Sequence, residues 1–148
     1  MSAARLAATV IRTFEGLRLH PYLDSVGVPT IGYGATYYPS GVRVSLQDAP
    51  ITRTTAEDLL TWMVSTVYLP KVLELCPQLD SDNRIAAITS CVFNIGVDHF
   101  RTSTLRRRIN ERRWDDVPRQ LNRWNMAGGV VLSDLVKRRA AEGVLFGS

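Results

Sequence analysis

Glu15, Asp24 and Thr30 are the residues of this 148-residue chain whose types and spacing could do chemistry. Eight residues separate the two acids and five separate Asp24 from the hydroxyl, so all three fall within the stretch Phe14 to Thr36. Two carboxylates and a water-holding hydroxyl can hydrolyse a glycosidic bond: one acid protonates the leaving oxygen while the other activates the water. An inverting enzyme keeps its two carboxyls about 6.5–9.5 Å apart, which leaves room for that water.

The elements that must position these groups are readable locally. Ala3, Leu6, Ala7, Val10 and Phe14 recur at helical spacing behind Ser2 as N-cap, so the pattern predicts a helix with Glu15 in its last turn and Gly16 as its end. An acid at that end, walled by apolar groups, would hold a proton and serve as general acid. From Leu17 to Ala35 the breakers and β-formers predict two or three short strands, with Asp24-Ser25-Val26-Gly27 as a turn and Pro29 to Tyr33 as a strand. Asp24 is then turn-borne and more solvated, suited to polarising a water, and Thr30 offers a second anchor for it. Each residue also has an ordinary reading: a surface charge, an Asp capping its own turn, a Thr filling a pleat. Spacing alone does not choose between them.

The surrounding residues do. Phe14-Glu15-Gly16, Tyr22-Leu23-Asp24 and Pro29-Thr30-Ile31-Gly32-Tyr33-Gly34 together resemble the active-site segment of the phage lysozymes, the endolysins of glycoside hydrolase family 24. The resemblance continues through Phe93-Asn94-Ile95-Gly96-Val97, Phe100, Ser103-Thr104-Leu105, Ala127-Gly128-Gly129 and Leu135 to Glu142, and is least informative over Tyr37 to Pro50. It implies an α+β, mostly helical, lysozyme-like fold in which a long helix joins a small β-hairpin lobe to a larger helical lobe. It further implies a muramidase cutting the β-1,4 bond between N-acetylmuramic acid and N-acetylglucosamine. Glu15 would donate the proton and Asp24 would activate a water with help from Thr30. Tyr33 would line the sugar groove or fill the core. The family also pairs its catalytic Glu with an Arg on a C-terminal helix; Arg138 fits by position, with Arg139 a close second. The resemblance implies a monomer with no cofactor and no nucleic-acid partner. Asp98 and Asp134 stand where the family commonly has Gly, so a left-handed backbone at either point would be less comfortable.

Length and a 45% hydrophobic content allow one domain with a real core, possibly in two lobes. Cys76 and Cys91 lie in apolar helical contexts and read as buried free thiols. Charge is uneven: residues 1–100 carry seven Lys/Arg against nine Asp/Glu, net −2, and residues 101–148 carry eleven against five, net +6. The basic half could meet nucleic acid, an anionic membrane face or an acidic polymer such as peptidoglycan; equally, Arg106-Arg107-Arg108 and Arg112-Arg113 could be solvated helix faces. The longest N-terminal apolar run, Leu6 to Ile11, is bracketed by Arg5 and Arg12 and matches neither a signal peptide nor a membrane span. The expectation is a protein made in the cytosol, and the resemblance then implies a holin, a membrane-permeabilising partner, to give it access to the wall. His20 and His99 are isolated, which offers no metal-ligand spacing.

Taken in order, the chain predicts a small lobe over about 15–53, in which the β content ends by Pro50. A Thr54/Glu57 capping box then opens a linking helix over Ala56 to Val67, which Pro70 kinks or divides. Asp80 or Ser81 caps a helix from Asp82 to about Asn94 that is apolar all round and therefore central. Shorter helices follow over Ser103–Asn110 and Asp115–Trp124. Ala127-Gly128-Gly129 is a break, and Ser133 caps a last helix to about Phe146. The helical lobe is thus about 70–148, with the N-terminal helix 2–14 packed on it. Two other readings compete. A lytic transglycosylase would leave Asp24 and Thr30 idle and make a 1,6-anhydro end, while a non-enzymatic cationic protein would act through its basic C-terminal helices.

Overall fold

In the computed structural model, which describes residues 2–148, the Ser2 hydroxyl accepts from the Arg5 amide at 3.3 Å and opens helix α1, Ala3–Phe14. Its buried residues Ala3, Ala7, Ala8 and Ile11 lie on one face. The helix stops one residue short of the expected end: Glu15 has left it, with φ −86° and ψ 140°. Gly16 is outside the left-handed region and does not act as the helix stop. The extended backbone at Glu15 sends its side chain across to the C-terminal helix, an interaction no local pattern encodes.

Strands β1, Arg18–Leu23, and β2, Pro29–Gly32, form an antiparallel hairpin in which Tyr22 pairs with Thr30 and Leu23 with Pro29. The register is irregular between Arg18 and Tyr22, where Pro21 has no amide to offer the ladder. The turn is closed by Asp24, whose Oδ1 accepts from the amides of Val26 at 3.0 Å and Val28 at 2.9 Å, and by Gly27 at φ +82°. Strand β2 ends at Gly32, whose φ of +70° turns the chain before Tyr33. Beyond β2 the β structure of the small lobe is reduced to isolated bridges, Ile31 to Ala35 and Tyr37 to Arg43.

The linking helix differs in two ways from the sequence reading. Helix α2, Arg53–Met63, is capped by Thr52, which accepts from the Thr55 amide at 3.1 Å, rather than by Thr54 with Glu57. It then passes through a π-helical turn, Val64–Tyr68, straight into α3, Leu69–Leu75. Leu69 N–H bonds to Val64 O, five residues back. The wider turn accommodates the missing amide of Pro70, so the helical path continues where a kink or a division was expected.

Helix α4, Asp82–Ile95, is capped by Ser81, which accepts from the Arg84 amide at 3.1 Å, and every residue from Ala86 to Val92 is buried. It packs between α1, α3 and the last helix. Two short helices follow, α5, Val97–Arg101, and α6, Thr104–Asn110, the latter capped by Ser103. A 3-10 turn at Trp114–Asp116 leads into α7, Val117–Asn122, with Pro118 in its first turn. The break expected at Ala127-Gly128-Gly129 is instead a second hairpin. Strands β3, Met126–Ala127, and β4, Val130–Val131, are joined by Gly128 and Gly129 at φ +57° and +79°, two positive values in succession that suit a tight two-residue turn. Helix α8, Ser133–Gly147, closes the chain with Ser133 inside it rather than capping it. Asp98 and Asp134 sit in the first turns of α5 and α8, where an acid suits the helix dipole and neither needs a left-handed backbone.

The result is the α+β, mostly helical architecture the sequence implies, with two hydrophobic clusters. One gathers Ile88 and Cys91 of α4 with Phe100, Leu105, Ile109, Leu121 and Phe146. The other joins Ala7 and Ile11 of α1 to Ile31, Tyr33, Leu60, Met63 and Ala86. Helix α4 therefore contributes to both clusters, whereas α1 belongs to the second. Much of the basic run is tied down: Arg106 and Asn110 donate to the Leu75 carbonyl, and Arg108 bridges Glu111 and Asp116.

Replacing Ser81 by Ala removes the α4 cap and should cost about 1 kcal/mol. That corresponds to a fall in Tm of about 3 °C, measurable by calorimetry, with activity per folded molecule retained.

Candidate active site

Glu15 leaves α1 with its side chain about one-third exposed, and its Oε1 accepts from Arg138 Nη1 at 2.7 Å. The wall expected to be apolar is therefore an arginine, itself 2% exposed. Of the two candidates it is Arg138 that meets Glu15. Arg139 points into the interior, where Nη1 donates to the Cys91 sulfur at 3.2 Å.

A buried guanidinium must be satisfied on every side, and α4 and α8 supply the partners. Arg138 Nη2 donates to the Ser90 carbonyl at 2.9 Å, and Nε to Glu142 Oε2 at 3.3 Å. Glu142, wholly buried, also accepts from the Ser90 hydroxyl at 2.6 Å and from Arg139 Nη2 at 3.3 Å. Arg139 Nε lies 2.8 Å from Glu142 Oε1 as an ion pair without hydrogen-bond alignment. Burial pushes the Glu142 carboxyl up from its ordinary range, against the opposing pull of Arg139, the Ser90 hydroxyl and Arg138. Burial likewise pushes the Cys91 thiol up to about 12, so it is a protonated, inert neighbour.

The hairpin carries the other half. Asp24 does cap its own turn, but both bonds fall on Oδ1, so within the described residues Oδ2 keeps its lone pairs uncommitted. The structural and chemical readings of this residue are compatible. Thr30 is 3% exposed, and its Oγ1 donates to the Val28 carbonyl at 2.8 Å. With its proton so engaged, the hydroxyl can only accept, which suits it to receive a hydrogen from a water. Tyr22, the cross-strand partner of Thr30, lies in the field of both acids. Its phenol is raised first by burial, eased by Arg18, and raised again by Glu15 and Asp24. The Arg18 guanidinium stacks 4.5 Å above its ring.

Tyr33 takes the core alternative: it is 5% exposed and packs with Ile31, Ala35 and Val44. Sequence reasoning missed Ser90 as a partner, the charge of Glu142 and the place of Tyr22. The i, i+4 spacing of Arg138 and Glu142 was a usable signal for the second, and period-2 alternation from Thr30 across a hairpin for the third. Among the described residues, no group of three or more His, Cys, Asp or Glu is arranged to hold a metal ion.

A part-exposed carboxyl backed by a buried arginine, with an Asp–Thr pair on a small hairpin, on a mostly helical two-core chain, matches the site of a lysozyme-type glycoside hydrolase. The family model for phage lysozyme matches residues 12–142. The chain belongs to the phage lysozyme family and is a glycoside hydrolase of the muramidase kind, an endolysin that degrades peptidoglycan. It is 32% identical to the endolysin of Acyrthosiphon pisum secondary endosymbiont phage 1, covering 100% of this chain and 99% of that protein. It is 35% identical to the endolysin of Bacillus phage PZA, again over 100% of this chain, but spans only 56% of that longer relative. Its fold matches the endolysin from Escherichia coli O157:H7 phage FAHEc1 with a TM-score of 0.82 at 30% identity, covering 99% of this chain and 93% of that one.

Arg138→Ala should leave Glu142 and Glu15 short of a cation and destabilise the protein by about 3–5 kcal/mol in urea unfolding. A loss below about 1 kcal/mol would mean that the interior charges do not depend on one another.

Proposed function

We propose that the enzyme hydrolyses the β-1,4 bond between N-acetylmuramic acid and N-acetylglucosamine with inversion, using Glu15 as general acid and Asp24 as general base. The observation that carries this reading is the division of labour at Asp24: one oxygen is clamped by its own turn and the other is free for a water. Thr30 supplies the second acceptor for that water. Because Arg138 donates to Oε1 of Glu15, the proton to be transferred belongs on Oε2, and the arginine contact survives protonation. As it leaves, the glycosidic oxygen takes that proton while the water attacks the opposite face of the sugar. The chain works in this reading as one domain, with the glycan strand bound between the small lobe over about 15–53 and the helical lobe over about 70–148.

The same reading makes the protein a monomer, produced in the host cytosol and admitted to the wall by a holin-type membrane permeabiliser. Endolysin relatives over the whole chain support that route. No helix of the described residues is long and apolar enough to cross a membrane.

On purified murein, Glu15→Gln should reduce the release of new reducing ends by about a thousandfold, and Asp24→Asn should also be severely impaired. NMR of the first product should show the α anomer. Wall clearing by Glu15→Gln at the wild-type rate would refute the acid assignment, a β anomer would refute inversion, and 1,6-anhydro ends would identify a transglycosylase.

A further inference from the structure

Arg138 is held on three edges, and only one faces Glu15. Nη1 makes the 2.7 Å contact to Glu15, while Nη2 is fixed by the Ser90 carbonyl at 2.9 Å and Nε by Glu142 Oε2 at 3.3 Å. A guanidinium is planar, so two anchored edges determine where the third points. Ser90 completes the arrangement from α4: its hydroxyl donates to the same Glu142 oxygen at 2.6 Å and lies 3.5 Å from Arg138 Nη2. Ser90 and Glu142 are wholly buried and reach no solvent-facing surface.

We propose that Ser90 and Glu142 are positioning residues for the hydrolysis: they set the plane of the Arg138 guanidinium and through it the place of the Glu15 carboxyl. This rests on reading Glu15 as the proton donor. The structure gives two reasons for the assignment. Two guanidinium groups and two carboxyls alternate from Glu15 through Arg138 and Glu142 to Arg139, linked by contacts of 2.7, 3.3 and 2.8 Å. Such buried charge is seldom retained for stability, since well-packed apolar residues do as well or better. In addition, the serine hydroxyl binds the carboxylate oxygen that itself holds Arg138, so its loss would loosen the arginine without removing any group that meets substrate.

Arg138 of α8 contacts Glu15 directly, and Tyr22 of the hairpin and Tyr68 of the π turn lie in its field. Glu142 offsets Arg138 from behind and is itself offset by Arg139. Neutralising Glu142 weakens the acceptor at Arg138 Nε and leaves the Ser90 carbonyl as the stronger of its two interior anchors.

The test compares Ser90→Ala, Ser90→Thr and Glu142→Gln with wild type, and with Glu15→Gln as control, in the full chain. The measurements are kcat, KM and the pH profile on purified murein fragments, thermal melting, and ¹⁵N NMR of the Arg138 side chain. Ser90→Ala should lower kcat by about tenfold to a hundredfold with KM changed less than about twofold. The Arg138 Nη resonances, separate in wild type through slowed rotation, should merge. Ser90→Thr keeps the hydroxyl and should restore most of the rate, and Glu142→Gln should lower kcat and bring the Arg138 Nη resonances together.

A folded Ser90→Ala enzyme with wild-type kcat and separate Nη resonances overturns the proposal, as does a loss confined to KM. If Glu142→Gln does not fold, the Ser90→Ala rate and the Arg138 spectrum decide alone. If Glu15→Gln remains active, the donor reading fails and the proposal falls with it. That outcome is distinguishable because Ser90→Ala would still merge the Arg138 resonances.

Discussion

The contact between Arg138 and Glu15 is the point on which the molecule turns. It spans 123 residues of sequence and joins the end of α1 to the inner face of α8 at 2.7 Å. Its cation is nearly sealed from solvent while its anion is partly open. That asymmetry is what makes it a device rather than a staple. A buried arginine can be supported only by partners of its own, so α4 must bring Ser90 and α8 must bring Glu142, and the central helix must be buried all round for both to meet there. The location of the acid is thereby decided in the interior of the helical lobe, behind the surface that Glu15 itself reaches.

The hairpin solves the opposite problem with local means. Asp24 is held by amides two and four residues ahead of it in the chain, so its position needs nothing from the rest of the fold. The cross-strand register then sets Tyr22 against Thr30. One acid is placed globally and the other locally, by two different kinds of construction.

This contrast also explains what was legible in the sequence. Elements defined by neighbours in the chain read well: Ser2, Ser81 and Ser103 cap the helices they precede, the Asp24 turn closes on Gly27, and α4 announces its burial by being apolar on every side. Glu15, Asp24, Thr30 and Arg138 stood out as candidates through family resemblance more than through spacing. Three threonines and an arginine within Thr52 to Thr55 gave no local way to choose the cap of α2. The π turn before Pro70 depends on where the following helix must pack, which no window of residues contains. The glycine pair at 128–129 was legible as a tight hairpin, given flanking residues able to pair, but a break is the commoner meaning of such glycines in a helical stretch. Tyr33 turned inward because Gly32 redirects the chain immediately before it.

Helix α8 has its polarity reversed. Arg138, Arg139 and Glu142 are three of its four buried residues, while Val136 and Val144 are 42% and 75% exposed. Ordinary amphipathic logic would roll this helix about its own axis. Its rotational setting is thus dictated by ionic partners instead of oil–water partition, and only Phe146 at the far end and its neighbour Leu145 hold it by grease. The contacts that fix the roll of the last helix are thus the same ones that hold the Glu15 carboxyl and the Ser90 hydroxyl in place.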